Sequence, residues 1–503
     1  MELRVQALPT APDSNRPVSN SSPLNVCDQR RKIREEMSHI IERLNFLQTK
    51  YNDLSPAARL PHEIWAEIFQ CYLPEPMSAL FFSSDHLNPF IFGKICNLWR
   101  QIAWYTPALW ASVHLRLSRR SYIHQQALLE EWILRSASYP LSVYLTYADE
   151  EIDWWENHPP QEILQVLSRY SDRWLNVDLI LPPSCYWAVG SIHGRLPILQ
   201  KVAIRSFKDG QSGTPLDMFA IAPQLREVTL PWTWFSELVF PWSQLHFFEV
   251  RAFSPDEALA ALNSTSNLTR CKFTNLLNHE ISPGAQDIVL PHLACFELVA
   301  ARETNLSPLF DILSTPALKE IYLTASKGNL LTLASLCIRS LCDLQKLSVS
   351  EMMLKEDELI QALHDMKSIR EIVFSNVDIV GSHPEIIQHG LSNHFVNVLH
   401  PKRHEMISSA LLLLPNLEIF AYSGDCIRFH DRAIVDMLAC RWKYAGKCLP
   451  TRAFSRLRSF YLKVRLNHHG FHITPRREKK LLDLIEGGMD INIEVSGYRL
   501  PQF

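Results

Sequence analysis

The sequence lacks the features that define several protein classes. None of its apolar runs approaches the roughly 18 consecutive apolar residues of a membrane-spanning helix. Its 11 cysteines are an odd number and include no C-x-x-C pair, which predicts reduced thiols in an intracellular protein. Residues 1–29 contain no apolar segment of the kind found in secretory signals. We therefore expect a soluble protein of the cytoplasm, the nucleus or both, with no membrane partner.

Neither sign of charge is in excess. The chain has 50 Lys and Arg against 53 Asp and Glu, for a formal net charge of −3. This balance argues against the basic surface with which proteins bind nucleic acid. The 47% of apolar and 20% of charged residues are typical of folded domains. At about 150 residues per domain, 503 residues predict roughly three domains or one elongated array.

Common catalytic motifs are also missing. The sequence has no P-loop, no G-x-G-x-x-G, no H-E-x-x-H and no G-x-S-x-G, and its 15 glycines leave few phosphate-binding loops. His468, His469 and His472 lie close together, and Cys426 precedes His430 by one helical turn. Neither group has a second ligand pair at the spacing of a zinc site. We therefore nominate no catalytic residue, no metal site and no cofactor.

The N-terminal 54 residues divide into two parts. Residues 1–29 are rich in Pro, Ser and Asn without periodicity, which predicts a flexible tail. In residues 30–54 apolar side chains alternate at spacings of four and three, the pattern of a coiled-coil seam. The seam consists of Ile33, Met37, Ile40, Leu44, Leu47, Tyr51 and Leu54. We expect a helix with this seam buried, either against another chain or against the next domain of its own chain.

One pattern recurs through most of the chain, an apolar anchor followed by apolar residues three and five positions later. The anchors are Trp174, Leu199, Leu225, Leu245, Leu268, Leu293, Leu318, Leu344, Ile369, Leu417 and Leu457, and the first nine are 20 to 26 residues apart. The two following positions share one face of a short strand. Because such a strand cannot bury its apolar face alone, neighbouring units must stack. The pattern predicts parallel strands over residues 172–500, with stacking that begins near residue 110 or 172.

Helical segments are predicted between these strands. They cover residues 256–262, 306–313, 330–341 and 356–366. Residues 116–171 are predicted to connect the array to the preceding domain through a helix at 121–135 and a strand that starts at Leu141. Ile491, Ile493 and Val495 alternate as in a terminal capping strand. The predicted fold class is therefore α+β, with an α/β solenoid after the N-terminal helices.

Residues 55–115 predict a small helical domain. Pro61 suits the first position of a helix, where its missing N–H costs nothing. Apolar residues then occupy positions 64, 65, 68, 69, 72 and 73, a band wider than a surface helix needs. A small domain covers only part of this band, so we expect its second face to meet another surface. A second helix is predicted at residues 93–104, ended by Thr106 and Pro107.

This segment resembles an F-box, which implies a small domain of three helices at residues 55–115. Three ordered blocks carry the resemblance: L-P-x-E-I-x-x-x-I-F at residues 60–69, I-C-x-x-W-R-x-I-A at 95–103, and T-P-x-L-W at 106–110. With its preceding helix and following repeats, the chain resembles the F-box proteins of mushroom-forming fungi. Its repeats are similar to leucine-rich repeats but mostly lack that family's Asn/Cys ladder position. The spacer at residues 74–92 is longer than the F-box pattern has.

The resemblance implies that the protein is an adaptor-bound receptor. F-box domains dock on a Skp-family adaptor, which attaches to a cullin–RING ubiquitin ligase, while C-terminal repeats hold a substrate protein. Carried over by position, the adaptor-binding residues are Leu60, Pro61, Glu63, Ile64, Ile68, Phe69 and Trp99, with Trp99 either in the domain core or at the interface. Two other hypotheses are a repeat-based scaffold that uses its F-box outside a ligase, and an unrecognised enzyme.

Overall fold

The chain consists of two compact units, a helical unit at Met1–Leu109 and a sheet unit at Trp110–Phe503. The structure, a computed structural model, describes residues 23–73, 88–147, 151–205, 215–230, 235–282, 286–326, 329–380, 390–401, 412–443, 454–465, 471–495 and 498–500. Most of the predicted tail, most of the spacer at 74–92, and His468 and His469 lie outside these residues. The boundary between the units precedes residue 115, where the predicted F-box domain ends, because residues 112–117 are a strand of the sheet.

The helical unit is built from four α-helices and short 3₁₀ segments in its described residues. They are α1 Pro23–Asp53, a 3₁₀ helix at Pro56–Arg59, α2 His62–Tyr72, α3 Phe90–Ile95, α4 Asn97–Trp104, and a 3₁₀ helix that begins at Pro107. The predicted flexible tail is wrong for residues 23–29, because α1 already begins at Pro23. Two features permit this earlier start. Proline is tolerated in a first helical turn. Along the helix, Arg31 pairs with Asp28 at 3.2 Å and with Glu35 at 3.9 Å.

The prediction of a helix over residues 30–54 is confirmed through Asp53, but its seam is not buried. Every residue from 26 to 52 is exposed, and Met37, Ile40 and Leu44 expose 57%, 60% and 52% of their surface. Among the described elements, none packs along α1. Packing of the seam on the chain's own next domain is therefore wrong, and the alternative of a second chain stays open.

Aromatic rings form the core of the helical unit. Phe69 stacks on Phe92 with ring centroids 4.0 Å apart and meets Trp99 at 5.1 Å. Trp65 contacts Trp99 at 4.6 Å, and its indole N–H donates to the carbonyl of Ala57 at 3.1 Å. Such ring pairs contribute about 0.5–1.5 kcal/mol each beyond the area that they bury. They hold α2, α3, α4 and the first 3₁₀ helix together.

The contact between α3 and α4 is close at Gly93. A Cβ atom at this position would lie 2.5 Å from the Trp104 ring, so a larger residue would displace that ring. The Gly93 carbonyl accepts two hydrogen bonds from the Arg100 guanidinium, at 2.9 and 2.6 Å. Cys96 caps α4, since its Sγ accepts from the Trp99 N–H at 3.4 Å. The second F-box-like block thus folds as a helical corner.

The sheet unit contains one large parallel sheet. Its strands are β1 Ser112–Leu117, β2 Leu141–Tyr147, β3 Trp174–Ile180, β4 Lys201–Arg205, β5 Glu227–Leu230, β6 Phe247–Arg251, β7 Arg270–Leu276, β8 Ile288–Val289, β9 Cys295–Ala300, β10 Leu313–Ser314, β11 Glu320–Thr324, β12 Lys346–Ser350, β13 Met353–Lys355, β14 Glu371–Val380, β15 Leu391–Ser392, β16 Ile419–Gly424, β17 Ile427–Arg428, β18 Ser459–Val464, β19 Asp490–Val495 and β20 Tyr498–Arg499. Within the described residues, fourteen strands pair in parallel in the order β1-β2-β3-β4-β5-β6-β7-β9-β11-β12-β14-β16-β18-β19. β20 pairs antiparallel to β19, β13 pairs with β14, and the two-residue strands form the pairs β8–β10 and β15–β17.

Helices connect these parallel strands. They are α5 Tyr122–Arg135, α6 Ile152–Asn157, α7 Gln161–Arg169, α8 Pro255–Ser264, α9 Ser307–Ile312, α10 Leu330–Ser340, α11 Glu356–Asp365, α12 Asn393–Val398, α13 Asp431–Lys443 and α14 Pro475–Glu486. 3₁₀ helices at Ser171–Arg173, Pro183–Ile192, Phe235–Glu237 and Trp242–Gln244 occupy further connections. The helices predicted between strands are present, including the one at 121–135. This mixture of helices around a parallel sheet is consistent with an α/β solenoid-like arrangement.

The register of the sheet follows the predicted spacing. The residues three positions after successive anchors pair directly: Val202 with Val228, for example, and Ile321 with Leu347. The anchors themselves are at most 1% exposed. The prediction that neighbouring units pair in parallel is therefore confirmed. Of the two predicted starting points the earlier is right, because β1 and β2 extend the same sheet, and the segment predicted as a connection thus contributes β2 to it.

A buried guanidinium forms hydrogen bonds to main-chain carbonyls inside the sheet unit. Arg441 in α13 is fully buried and donates to the carbonyls of Leu399, Leu413 and Leu414 at 2.9, 2.8 and 3.1 Å. Burial lowers the pKa of this guanidinium to about 10, so it remains charged at neutral pH. Its hydrogen bonds join α13 to the end of α12 and to the turn before the anchor Leu417.

Candidate functional site

The helical unit exposes an apolar row, which we call the α2 stripe. It consists of Leu60, Ile64, Ile68 and Tyr72, whose exposed fractions are 39%, 46%, 42% and 53%. Side chains four residues apart lie on the same face of a helix, so Ile64, Ile68 and Tyr72 form a row of about 12 Å along α2. Leu60 precedes this helix by two residues. The opposite side of the apolar band, formed by Trp65 and Phe69, is buried. The expectation that the unit covers only part of this band is confirmed.

The predicted site residues separate into exposed and buried groups. Pro61 and Glu63 are exposed at the start of α2, beside the α2 stripe. Glu63 lies in the first helical turn, where a carboxylate interacts favourably with the helix dipole. Phe69 is 1% exposed and Trp99 is half-buried within the aromatic core. Phe69 therefore differs from the expectation of a binding residue: its position one residue beyond Ile68 turns it from the exposed face into the core.

Tyr72 was not among the predicted site residues, although the spacing of four from Ile64 and Ile68 carries the signal. Ile95, at the end of α3, was also missed and is 56% exposed. Its position in the second F-box-like block gave no indication of which way it points. Tyr72 thus extends the apolar row on α2, and Ile95 is a further exposed apolar side chain of the helical unit.

A cavity of about 350 Å³ lies beside these helices, between the end of α1 and the start of α4. Ile95 and Trp99 line it together with the polar side chains of Thr49, Asn52 and Asn97. This volume accommodates a few side chains of a partner. No Asp, Glu, His, Lys or Arg is among the described residues that line the cavity, so its lining offers amide and hydroxyl hydrogen bonds together with apolar contact.

The sheet unit presents a face of alternating charges. On each strand the core-facing side chains alternate with side chains that point outward, and oppositely charged groups meet across neighbouring strands. Lys272 in β7 lies 3.5 Å from Glu249 and 3.1 Å from Glu297, on the strands to either side. Lys346 and Glu371 form a similar pair at 2.8 Å. The face therefore offers both signs of charge to a partner.

Two titratable groups on the first strands have shifted pKa values. His114 stacks on Tyr144 at 4.5 Å, and burial lowers the pKa of its imidazole to about 4. Burial raises the pKa of the Asp178 carboxyl to about 6, although Arg205 at 3.3 Å opposes the shift. Burial therefore favours the neutral form of both side chains, as expected for titratable groups enclosed by neighbouring strands.

Replacing Asp178 by Asn should increase stability in a pH-dependent way. The carboxyl's folded pKa of about 6 lies above its unfolded value, so its ionisation opposes folding. This penalty is absent below pH about 4 and complete above pH about 6, where it reaches about 2–3 kcal/mol. Urea unfolding from pH 4 to 8 would show the variant's advantage growing to pH 6 and then levelling. A difference that does not change with pH would contradict the assignment.

The described residues contain no group of three or more His, Cys, Asp or Glu side chains able to hold a metal ion. Cys426 is buried whereas His430 and His472 are exposed. None of the helices in the described ranges is long and apolar enough to cross a membrane. Comparison with known proteins finds no matching family model and no matching curated protein.

Proposed function

We propose that the protein is the non-catalytic substrate-recognition subunit of a Skp–cullin–F-box ubiquitin ligase. In this proposal the helical unit is an F-box that binds a Skp-family adaptor, and the sheet unit is a leucine-rich-repeat-like array that binds a substrate protein. The α2 stripe is the observation that carries the proposal. It begins at the Leu60-Pro61 pair of the first F-box-like block, and among the described elements none covers its large apolar side chains.

The binding free energy available from the α2 stripe is moderate. Full burial of a large apolar side chain contributes about 1.5–3 kcal/mol. Four side chains that are already half covered therefore contribute about 3–6 kcal/mol in total. A 1 μM complex needs about 8 kcal/mol, so further contacts are required. Pro61, Ile95 and the cavity beside Trp99 are further surfaces of the helical unit that are available for them.

The sheet face supports a role in holding a polar protein surface. Its outward side chains combine ion pairs with aromatic rings, as at Tyr322, whose ring lies 5.4 Å from the Lys346 ammonium. Tyr322 is half-buried. Tyrosine is enriched at protein–protein interfaces, whose rims are polar. A substrate held there would be near a ubiquitin carrier bound through the adaptor and cullin. Such proximity raises the effective concentration of the substrate lysine without a catalytic group on this chain.

Replacing Leu60 and Pro61 together by Ala should weaken adaptor binding by at least tenfold. The pair contributes apolar contact at the entrance of the stripe, and 1.4 kcal/mol corresponds to one decade of affinity. Ile64→Asp, which places a charge within the buried patch, should reduce binding by about 100-fold or more. The measurement is the Kd of the full chain for a purified Skp-family adaptor.

Gln70→Ala is the matched control, because Gln70 is exposed on α2 away from the stripe. It should leave the Kd unchanged, and circular dichroism should show all variants folded. Adaptor binding that is unaffected by the Leu60/Pro61 change would refute an F-box at these residues. Co-purification of the adaptor with the full chain, but without a cullin, would show that the protein acts outside a ligase.

A further inference from the structure

The apolar seam of α1 is long and uncovered. Its side chains from Val26 to Tyr51 span about 39 Å of helix. Val26, Ile33 and Leu47 expose 38%, 57% and 50% of their surface, and Tyr51 exposes 79%. A continuous exposed apolar strip of this kind marks an interaction surface. The adaptor-binding proposal does not use it, because the seam lies on α1 and the α2 stripe on another helix.

The period of the seam indicates another helix as its occupant. Alternating spacings of three and four residues place Arg30, Met37, Leu44 and Tyr51 at the a positions of a heptad. The d positions are Val26, Ile33, Ile40 and Leu47. A repeat of 3.5 residues kept over nearly four heptads matches the narrow seam of two supercoiled helices. A second copy of α1 has this same period and length.

The charges in and beside the seam disfavour a parallel pair. In a parallel coiled coil each g residue faces an e residue of the partner. Glu36 at g would then face Ile41, and Arg43 at g would face Gln48, so no ion pair forms. The two copies of Arg30 would also meet in one core layer, where like charges repel. The parallel arrangement therefore places like charges in its core and forms no ion pair beside it.

Reversing one helix changes these contacts, because g residues then face g residues. In the register that places Met37 against Ile40 of the second copy, Glu36 lies beside Arg43 of that copy. The two-fold symmetry forms this ion pair twice. The same register opposes Leu44 to Ile33, Tyr51 to Val26, Arg30 to Leu47 and Gln29 to Lys50. Every large seam residue from 26 to 51 gains an apolar partner or, for Leu47, the aliphatic stem of an arginine.

We propose that two copies of this chain associate through α1 as an antiparallel coiled coil with its two-fold axis between residues 38 and 39. The dimer buries the seam that the single chain leaves in water. It also joins two helical units and two sheet units in one particle, so that a partner with two binding sites is held by avidity. The association is independent of which protein the α2 stripe binds.

Charge exchange at Glu36 and Arg43 tests both the dimer and its direction. The full chain, in reducing buffer and low salt, should have the mass of a dimer by light scattering and sedimentation. Glu36→Arg and Arg43→Glu each replace two attractive contacts with two repulsive ones and should raise the dimer dissociation constant by about tenfold or more. The double variant recreates both pairs and should restore it to within about threefold of the original.

Glu42→Arg is the matched control, since it makes the same charge change as Glu36→Arg on the side of α1 opposite the seam. It should leave the dissociation constant unchanged, whereas Leu44→Asp within the seam should give monomers. Circular dichroism checks that each variant keeps its helix content. A monomeric full chain would overturn the proposal. The antiparallel register would be overturned if neither single change raised the dimer dissociation constant. It would also be overturned if the double change failed to restore that constant.

Discussion

Replacing Arg441 by Leu should destabilise the sheet unit by about 3–5 kcal/mol. The guanidinium is fully buried and is the hydrogen-bond donor to three main-chain carbonyls, those of Leu399, Leu413 and Leu414. Leucine fills most of the volume but removes all three hydrogen bonds. The Leu414 carbonyl keeps the Leu417 N–H at 3.2 Å, whereas the carbonyls of Leu399 and Leu413 lose their Arg441 donor. An unsatisfied buried acceptor costs about 1–3 kcal/mol. Urea unfolding of the full chain, followed by far-ultraviolet circular dichroism, measures the change.

Arg432→Leu is the control for this prediction. Arg432 lies on the same helix α13, but its side chain is 71% exposed and pairs with Asp436 at 3.8 Å on the surface. An exposed pair of this kind contributes at most about 1 kcal/mol, so this variant should unfold near the original urea concentration. Equal effects of the two changes would show that the carbonyl contacts of Arg441 do not stabilise the fold.

Replacing Phe69 by Ala should unfold the helical unit. The Phe69 ring contacts Trp65, Phe92 and Trp99 within 5.6 Å, and truncating a buried Phe costs about 3–5 kcal/mol. A small domain has little more stability than this. We expect rapid amide hydrogen exchange throughout α2–α4 in the variant, with the exchange of the sheet unit unchanged.

Ile68→Ala separates packing from binding at this position. Ile68 precedes Phe69 but is 42% exposed, so its truncation should lower stability by less than about 1 kcal/mol while weakening adaptor binding. The opposite result would be slow amide exchange in α2–α4 of Phe69→Ala together with a loss of adaptor binding. Phe69 would then be a contact residue, as the resemblance implied. The two neighbours thus distinguish the structural assignment from the sequence-based one.

Local periodicity was sufficient to predict the parallel sheet. The spacing of each anchor from the two apolar residues after it describes one strand, and its return every 20 to 26 residues places the next strand alongside. The pairing of Phe296 with Ile321 and of Ile321 with Leu347 follows from this spacing alone. Period-two alternation fixes which side chains share a face, so the strand register and the core-facing side of each strand were both predictable before any tertiary contact was known.

The helices were predictable for the same reason, but their partners were not. The a/d spacing of residues 33–54 specifies a helix and an apolar seam, yet it contains no information about which surface covers that seam. Likewise the band at positions 64–73 predicts two apolar faces without distinguishing Ile68, which is exposed, from Phe69, which is buried. That choice depends on where Phe92 and Trp99 lie, after a spacer whose length the helix pattern does not restrict.

Sequence by itself therefore determined the element types, the strand register and the row of apolar residues on α2. Tertiary structure alone decided that the α1 seam stays exposed, that β1 and β2 join the sheet, and that Arg441 is enclosed. The carbonyls that surround Arg441 come from residues 27 to 42 positions away. Short-range patterns report the periodicity of one element, whereas burial depends on distant segments that meet only when the chain has folded.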